Sequence, residues 1–326
     1  MKMSLLVAMS ILATSAGAQN VDRHPDAAAR SADWPLVLVV PFPPGGSADR
    51  VGRILSASFS ESLHRSVVIR NMPSGMGVDA LAAVAKPVLG EIRMGYATNM
   101  QVVPGVLLSK SATFNPGEDF DWIGVVGTFG GAVVVGAAER AGSFEVWLKD
   151  VPQRARPLRL GAGAPGSMNM LAAQFLAEVL GGQVEIVSIS TADAGYSALR
   201  VGEIDAYIDG LPNALEEALL ASARVLAVSS KDRAAGAPDV PSFGERWPGE
   251  DFSTFVAIVV AKSESEAVRG RLKSGWYGIN RAGTARKELT AIGITYLGLD
   301  LDAATAYAER EMLRHAKMLT RFGRSR

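Results

Sequence analysis

The sequence predicts an α/β fold with two lobes, each built on a mixed, mainly parallel sheet flanked by helices. Short apolar runs alternate with amphipathic helical segments, which is typical of parallel sheets. With 326 residues, 48% of them hydrophobic, the chain is long enough for about two cores. Two apolar, strand-like segments, Trp122–Ala138 and Thr254–Val260, are placed to cross between the lobes and form a hinge. The predicted boundaries are a signal peptide at 1–18, a flexible leader at 19–35, a first lobe at 36–126 plus 255–326, and a second lobe at 127–254.

The first strand–loop–helix unit organises the chain. Leu36–Val40 reads as a buried strand, and three of the next four residues are prolines, which cannot continue an interior strand. Gly45 and Gly46 permit a tight turn, Ser47 is a predicted N-cap, and Asp49 falls in the first helical turn. A helix is therefore expected to begin beside a glycine-rich loop.

That loop has two interpretations, and the local pattern does not separate them. Unpaired N–H groups at the positive end of a helix suit an anion such as a carboxylate. The glycines are equally compatible with a turn that binds nothing. Asp49 itself is expected to complement the helix dipole, because its charge would repel a carboxylate.

Further strand ends of the predicted first lobe carry polar side chains. Ser66–Arg70 and Ile92–Ala97 read as strands, with a helix predicted over Val78–Lys86 between them. Asn99 and Met100 follow the third strand. Open α/β sheets bind ligands at the carboxyl ends of their strands, so these residues are candidates for a cleft.

The predicted second lobe contains another glycine-rich loop, Gly161–Ser167, between a strand and a helix. Its glycines match the pattern G-x-G-x-x-G, which allows a dinucleotide site. The next strand, Val184–Ser188, lacks the acidic residue that such sites use for the ribose. A later strand ends at Asp209, which is either a cleft residue or a turn residue before Pro212.

Composition and the N-terminus limit the function classes. The 33 basic and 33 acidic residues balance, so a nucleic-acid partner is not expected. The chain has no cysteine, which excludes a thiol nucleophile and a lipid-modified cysteine anchor. Lys2, an apolar run and a small-residue triplet predict a secretory signal peptide cleaved near Ala18–Gln19. We therefore expect export to the periplasm without a lipid anchor.

No pattern of catalytic residues is evident. The three histidines, His24, His64 and His315, fall outside the predicted cleft loops and are expected at the surface. Basic residues near the C-terminus, Arg314 among them, are expected on a solvated helix face. The sequence predicts neither an enzyme nor a cofactor.

Four blocks of sequence resemble the extracytoplasmic solute-binding receptors of the tripartite tricarboxylate transporter family, also called Bug proteins. The blocks are PFPPGGSADRVGR at Pro41–Arg53, GAGAPGSMNMLA at Gly161–Ala172, GEIDAYIDGLP at Gly202–Pro212 and VLAVSSKDRAAGAPDVPSFGE at Val225–Glu245. They occur in the family's order, and the resemblance spans roughly Leu36 to Val260.

The resemblance implies a two-lobed periplasmic-binding-protein fold that closes on a small carboxylate and delivers it to membrane permease subunits. It implies no metal or cofactor, and we expect a monomer. The ligand-binding residues implied by matching motifs are Phe42, Gly45, Gly46, Ser47, Asp49, Asn99, Met100, Gly163, Ser167, Asn169 and Asp209. Two alternatives stay open at this point: a secreted enzyme with an anion or nucleotide site at Gly161–Gly166, and an orphan or sensory receptor of the same fold.

Overall fold

The computed structural model describes residues 34–73 and 75–322, which form two sheets covered by helices. The strands are β1 (Leu36–Val40), β2 (Val67–Asn71), β3 (Ile92–Thr98), β4 (Phe120–Phe129), β5 (Gly131–Gly136), β6 (Leu158–Ala162), β7 (Val184–Ser188), β8 (Ala206–Gly210), β9 (Ala223–Val228), β10 (Thr254–Ala261) and β11 (Thr295–Leu299). The helices are α1 (Ser47–Leu63), α2 (Val78–Ala85), α3 (Val106–Leu108), α4 (Phe144–Asp150), α5 (Met168–Val179), α6 (Ala192–Arg200), α7 (Leu211–Leu219), α8 (Phe243–Arg246), α9 (Glu266–Ala282), α10 (Thr284–Ala291) and α11 (Leu301–Phe322).

The first sheet has the strand order β11-β4-β10-β3-β1-β2. β1 pairs in parallel with both β2 and β3, as the alternation of strands and helices predicts. β10 runs antiparallel between β3 and β4, and β11 pairs antiparallel with β4 at the edge. Helices α1, α9 and α10 cover one face of this sheet, while α2 and the start of α11 cover the other.

The second sheet has the order β7-β6-β8-β5-β9. β6 pairs in parallel with β7 and β8, whereas β5 is antiparallel to β8 and β9. Helices α4 and α5 pack on one face and α6 and α7 on the other. The predicted fold class, two mixed sheets with flanking helices, is confirmed.

Two segments join the sheets, and both lie where apolar crossing strands are predicted. β4 belongs to the first sheet and β5 to the second, with only Gly130 between them. The chain returns to the first sheet through β10, whose residues from Phe255 onward are fully buried. The carboxyl ends of β1 and β3 and those of β6 and β8 therefore face each other across these crossings, which positions the site described below.

Helix α11 contacts both halves of the molecule. Ala304 and Ala308 pack in a core of the first sheet, whereas Phe322 lies in the aromatic core of the second, against Phe175 and Phe252. One helix of 22 residues thus bridges the two sheets beside the crossing segments.

Two predictions for this helix are wrong. His315 is completely buried rather than at the surface, and its Nε2 atom lies 2.9 Å from the Gly166 carbonyl oxygen. Arg314 is not on a solvated face, because its guanidinium donates hydrogen bonds to the carbonyl oxygens of Asp251 and Ser253. The helical periodicity alone did not reveal that a second sheet packs against the end of α11. His64, in contrast, is exposed as predicted.

The predicted signal peptide, its cleavage near Ala18–Gln19, His24 and nearly all of the predicted leader lie outside the described residues. Among the residues that the structure describes, no helix combines the length and apolar character needed to span a bilayer.

Candidate functional site

A cavity of about 510 Å³, here called the cleft, lies between the two sheets and is lined from both. The predicted residues that line it are Phe42, Gly45, Gly46, Ser47, Asn99, Met100, Gly163, Ser167, Asn169 and Asp209. Of the predicted set, only Asp49 is outside the lining. The structure therefore brings glycine loops and strand ends that are far apart in sequence into one cavity, of a size suited to a small molecule.

The loop between β1 and α1 forms one wall of the cleft. Gly45 has a φ of +87°, which favours glycine, whereas Gly46 is extended and is the N-cap residue of α1. The predicted N-cap role of Ser47 is wrong, because the helix begins at Ser47 itself. Its Oγ atom is buried and has no hydrogen-bond partner. A buried hydroxyl without a partner costs free energy, which a bound ligand or water can recover.

Asp49 lies beneath this loop rather than in the cleft. Its carboxylate accepts hydrogen bonds from the Gly45 N–H at 3.0 Å, from Arg53 Nε at 2.8 Å and from Asn71 Nδ2 at 3.0 Å. Burial opposes ionisation of Asp49, but these hydrogen bonds outweigh it and lower the pKa of the carboxyl. Asp49 therefore holds the loop in shape, and its charge is satisfied locally.

The end of β3 contributes a second group of unpartnered atoms. Asn99 Oδ1 accepts a hydrogen bond from the Phe255 N–H at 2.7 Å, which fixes the orientation of the amide because a backbone N–H can only donate. Asn99 Nδ2 is left buried without a partner. The hydroxyl of Tyr96, a fully buried residue that also lines the cleft, is likewise unpartnered. Burial raises the pKa of Tyr96, so this hydroxyl keeps its proton.

Tyr96 was missed by the sequence analysis because it lies inside a predicted strand rather than after its end. The only signal available was its position three residues before Asn99. Its ring packs edge-to-face on Phe42, with 6.4 Å between the ring centroids. Met76, Met100 and Phe129 add further apolar surface to the cleft.

The loop between β6 and α5 forms the opposing wall. Gly163, Ala164 and Ser167 line the cleft, and Ser167 caps α5 by accepting a hydrogen bond from the Met170 N–H at 3.2 Å. Asn169, which also lines the cleft, lies close to Gly131 of β5, where a Cβ atom would be 2.5 Å from Asn169 Oδ1. The glycine-rich loop thus contributes a helix N-terminus to the cleft.

Asp209, at the end of β8, is the one buried acid of the cleft, with a residue exposure of 8%. Burial raises the pKa of its carboxyl to about 6, although hydrogen bonds from Asn213 and from the Gly210 N–H favour the ionised form. The Asn213 Nδ2 atom donates to Asp209 Oδ2 at 3.0 Å. Of the two interpretations left open for Asp209, the structure has the cleft position, and Pro212 lies in the first turn of α7, a helix that was not predicted.

A further cleft segment, Ile189 to Asp193, was not among the predicted ligand-binding residues. Thr191 caps α6 by accepting a hydrogen bond from the Ala194 N–H at 3.3 Å. Residues at the N-termini of α1, α5, α6 and α7 therefore all line the cleft. The residues described as lining it include Asp193 and Asp209 but no lysine, arginine or histidine. The positive charge available in the described lining is therefore the partial charge of the helix N-termini.

The two sheets also touch through charged residues of α1 and α7. Arg50 of α1 pairs with Glu216 of α7 at 2.5 Å and donates to the Pro212 carbonyl oxygen at 3.2 Å. Nearby, a Cβ atom on Gly210 would lie 3.0 Å from Ser47 Oγ. The N-termini of α1 and α7 are therefore held close together at one side of the cleft.

Comparison with known proteins gives the family. The model of the tripartite tricarboxylate transporter family receptor matches residues 51–323. The chain belongs to this receptor family. The resemblance found in the four sequence blocks is thereby confirmed.

Individual relatives agree with the family match. Protein BugT of Bordetella pertussis is 26% identical over 230 residues, covering 70% of this chain and 71% of BugT. The periplasmic binding protein BugD is similar in structure, with a TM-score of 0.77 at 20% identity, covering 89% of this chain and 98% of BugD. R. palustris Rpa4515, solved with adipate, has a TM-score of 0.79 at 23% identity, covering 89% of this chain and 98% of Rpa4515.

The family and the fold are those of periplasmic solute-binding proteins rather than enzymes. The two sheets of this receptor correspond to the two lobes of that fold, and the cleft described above lies between them.

Proposed function

We propose that the protein captures a small carboxylate in the cleft and delivers it to the membrane permease subunits of a tripartite transporter. The observation that carries this proposal is the pair of buried, unpartnered atoms Ser47 Oγ and Asn99 Nδ2 in the wall of the cleft. Asn99 Nδ2 can only donate a hydrogen bond, so a ligand that satisfies it must offer an acceptor. A carboxylate oxygen is such an acceptor.

Carboxylate binding in this cleft does not require an arginine or lysine. Helix N-termini present N–H groups and partial positive charge, and they bind anions well when water is excluded. Hydrogen bonds to an ionised acceptor are about twice as strong as those between neutral groups. The adipate bound by Rpa4515, a family neighbour in structure, supports a carboxylate as the ligand class.

We expect the two sheets to close around the ligand, because only the two crossing segments need to move. Movement at β4–β5 and at the start of β10 would open and close the cleft without breaking either core. We also propose, from the family, that the protein acts in the periplasm as a monomer after cleavage of its signal peptide. Delivery to a permease distinguishes this function from that of an orphan or sensory receptor of the same fold.

Thermal unfolding of the purified protein against a ligand panel tests the proposal. The panel holds mono-, di- and tricarboxylates, amino acids, aromatic acids and nucleotides. A carboxylate that binds the native state should add about 2.7 kcal/mol to the free energy of unfolding at 100 times its Kd, enough to raise the midpoint by a few degrees. A shift with a nucleotide and with no acid would overturn the proposal in favour of a nucleotide site at Gly161–Gly166.

A further inference from the structure

The two walls of the cleft differ in hydrogen-bonding chemistry. On the first-sheet side, the unpartnered atoms are Ser47 Oγ, Tyr96 Oη and Asn99 Nδ2, all of which can donate. These residues are at least nine-tenths buried, so solvent does not satisfy them fully. This wall therefore suits a ligand group that accepts several hydrogen bonds and donates none. An ionised carboxylate is such a group.

Asp209 adds a buried acceptor to the second-sheet side, beside the N-termini of α5, α6 and α7. Its carboxylate is buried, lines the cleft and accepts hydrogen bonds from Asn213 and from the Gly210 N–H, with the Tyr196 hydroxyl close by. Within the described part of the chain, Asp209 makes no ion pair with a basic side chain. A carboxylate has two oxygens and about four acceptor positions, so Asp209 retains capacity for a donor from the cleft. Asp193, which is exposed, adds a second negative charge to the same side.

We infer that the ligand is a carboxylate that also carries an ammonium or hydroxyl group, and that this donor binds the Asp209 carboxylate. The inference rests on the proposed function and makes its ligand class narrower. A ligand with carboxylates at both ends and no donor would bring one of them towards Asp209, where like charges repel strongly because water is excluded. In a ligand that carries a donor, that donor pairs with the buried charge of Asp209. The ligand carboxylate then accepts hydrogen bonds from the unpartnered groups on the first-sheet side.

Matched acids on the same carbon skeleton test this assignment. We would titrate the protein at pH 7.5 with succinate, malate and aspartate, and with glutarate, 2-hydroxyglutarate and glutamate, and measure Kd by calorimetry. Propionate, lactate and alanine form a third series. The best member of a series should be the hydroxy or amino acid, with a Kd at least about tenfold lower than that of the plain acid. Within a series, the Kd values of the hydroxy acid and the amino acid show whether Asp209 binds a hydroxyl or an ammonium group more tightly.

The outcomes separate this inference from the function on which it rests. Equal or tighter binding of the plain acid in every series that binds would overturn the inference and leave carboxylate capture standing. Binding of none of these acids, nor of any acid in the wider panel, would overturn the proposed function and the inference with it.

A variant assigns the preference to Asp209. Asp209→Asn is nearly isosteric and can still accept from Asn213, but it removes the charge. The preference for the donor-bearing acid should fall to about threefold or less, because a neutral acceptor forms a weaker hydrogen bond than a charged one. The matched control is Asp239→Asn, which removes an exposed acid that lies outside the cleft lining and should keep the preference. Retention of the full preference in a folded Asp209→Asn protein would overturn the assignment of the preference to Asp209. If this variant fails to fold, the wild-type titrations still test the ligand class.

Discussion

His315 Nε2 lies 2.9 Å from the Gly166 carbonyl oxygen and joins α11 to the loop that forms one wall of the cleft. Burial lowers the pKa of His315 to about 4, so the ring is neutral near pH 7 and Nε2 carries the proton that this hydrogen bond requires. Gly166 has a φ of +81°, and a Cβ atom there would lie 2.9 Å from Pro104 Cβ. The loop is thus held from two sides by residues that do not line the cleft.

Replacing His315 should weaken ligand binding through the loop. His315→Leu leaves the Gly166 carbonyl without its partner, and we expect a loss of about 1–3 kcal/mol in the free energy of unfolding. The Kd for the carboxylate should rise as well, because Ser167 and Gly163 belong to the same loop. Urea unfolding and calorimetry measure the two effects.

His315→Gln is the matched control, because its side-chain amide can donate to the same carbonyl. It should recover most of the affinity. If the folded Leu variant binds the carboxylate as tightly as wild type, α11 does not position the loop.

Arg50 connects the two sheets and is expected to affect ligand release more than stability. Its side chain is 29% exposed and that of Glu216 is 49% exposed, so the pair should contribute no more than about 1 kcal/mol. Arg50→Ala should leave the unfolding midpoint nearly unchanged and speed ligand dissociation by up to about fivefold, as measured by stopped flow.

The control for Arg50 is Arg233→Ala. Arg233 pairs with Glu245, and both residues lie on the second-sheet side. This variant should not alter dissociation. Equal dissociation rates for the two variants would show that the contact between α1 and α7 does not slow ligand release.

Asp209 should make stability depend on pH in a defined direction. Its pKa is about 6 in the folded protein and 3.8 in the reference state, so the folded state binds the proton more tightly. The resulting stabilisation is complete below pH 3.8 and is lost as the pH rises through 6. Asparagine at this position does not ionise, so Asp209→Asn lacks this pH dependence. The free energy of unfolding of Asp209→Asn minus that of wild type should therefore increase between pH 4 and pH 7, by on the order of 2–3 kcal/mol.

The comparison of the two proteins isolates Asp209 from other titrating groups. Asn213, Tyr196, Tyr207 and Glu217 act on this carboxyl, and all four are present in both proteins. His315, whose low pKa makes wild type less stable in acid, also cancels in the difference. A difference that stays constant across this pH range would show that burial does not raise the pKa of Asp209.

Most elements and the main cleft loops can be predicted from the sequence because they follow local rules. Strand Leu36–Val40, the glycine turn and the helix that follows it are specified by neighbouring residues, as are the crossing strands by their apolar composition. The errors concern contacts between distant segments. His315 is buried by a loop 149 positions earlier, and Asn99 is oriented by a backbone group 156 positions later.

Tyr96 illustrates the limit of strand patterns. A tyrosine inside a buried strand normally indicates packing, and only the three-dimensional arrangement shows that its hydroxyl lacks a partner in the cleft. Helix α7 was missed because Pro212 suggested a turn, although proline is also favourable in the first turn of a helix. The residues around Pro212 are compatible with both a turn and the start of a helix.

The central claim, that the cleft binds the ligand, is tested most directly at Gly46. Gly46 has an extended backbone, and a Cβ atom there would meet nothing within 4 Å, so the protein can fold with valine at this position, which adds bulk to a residue that lines the cleft. The control is Gly142→Val, where a Cβ atom also meets nothing within 4 Å but which lies outside the cleft lining.

We would titrate both variants and wild type with the carboxylate that binds wild type best. We expect Gly46→Val to lose at least about a hundredfold in affinity with an unchanged circular dichroism spectrum, while Gly142→Val binds like wild type. Wild-type affinity in a folded Gly46→Val protein would show that the ligand does not bind in this cleft.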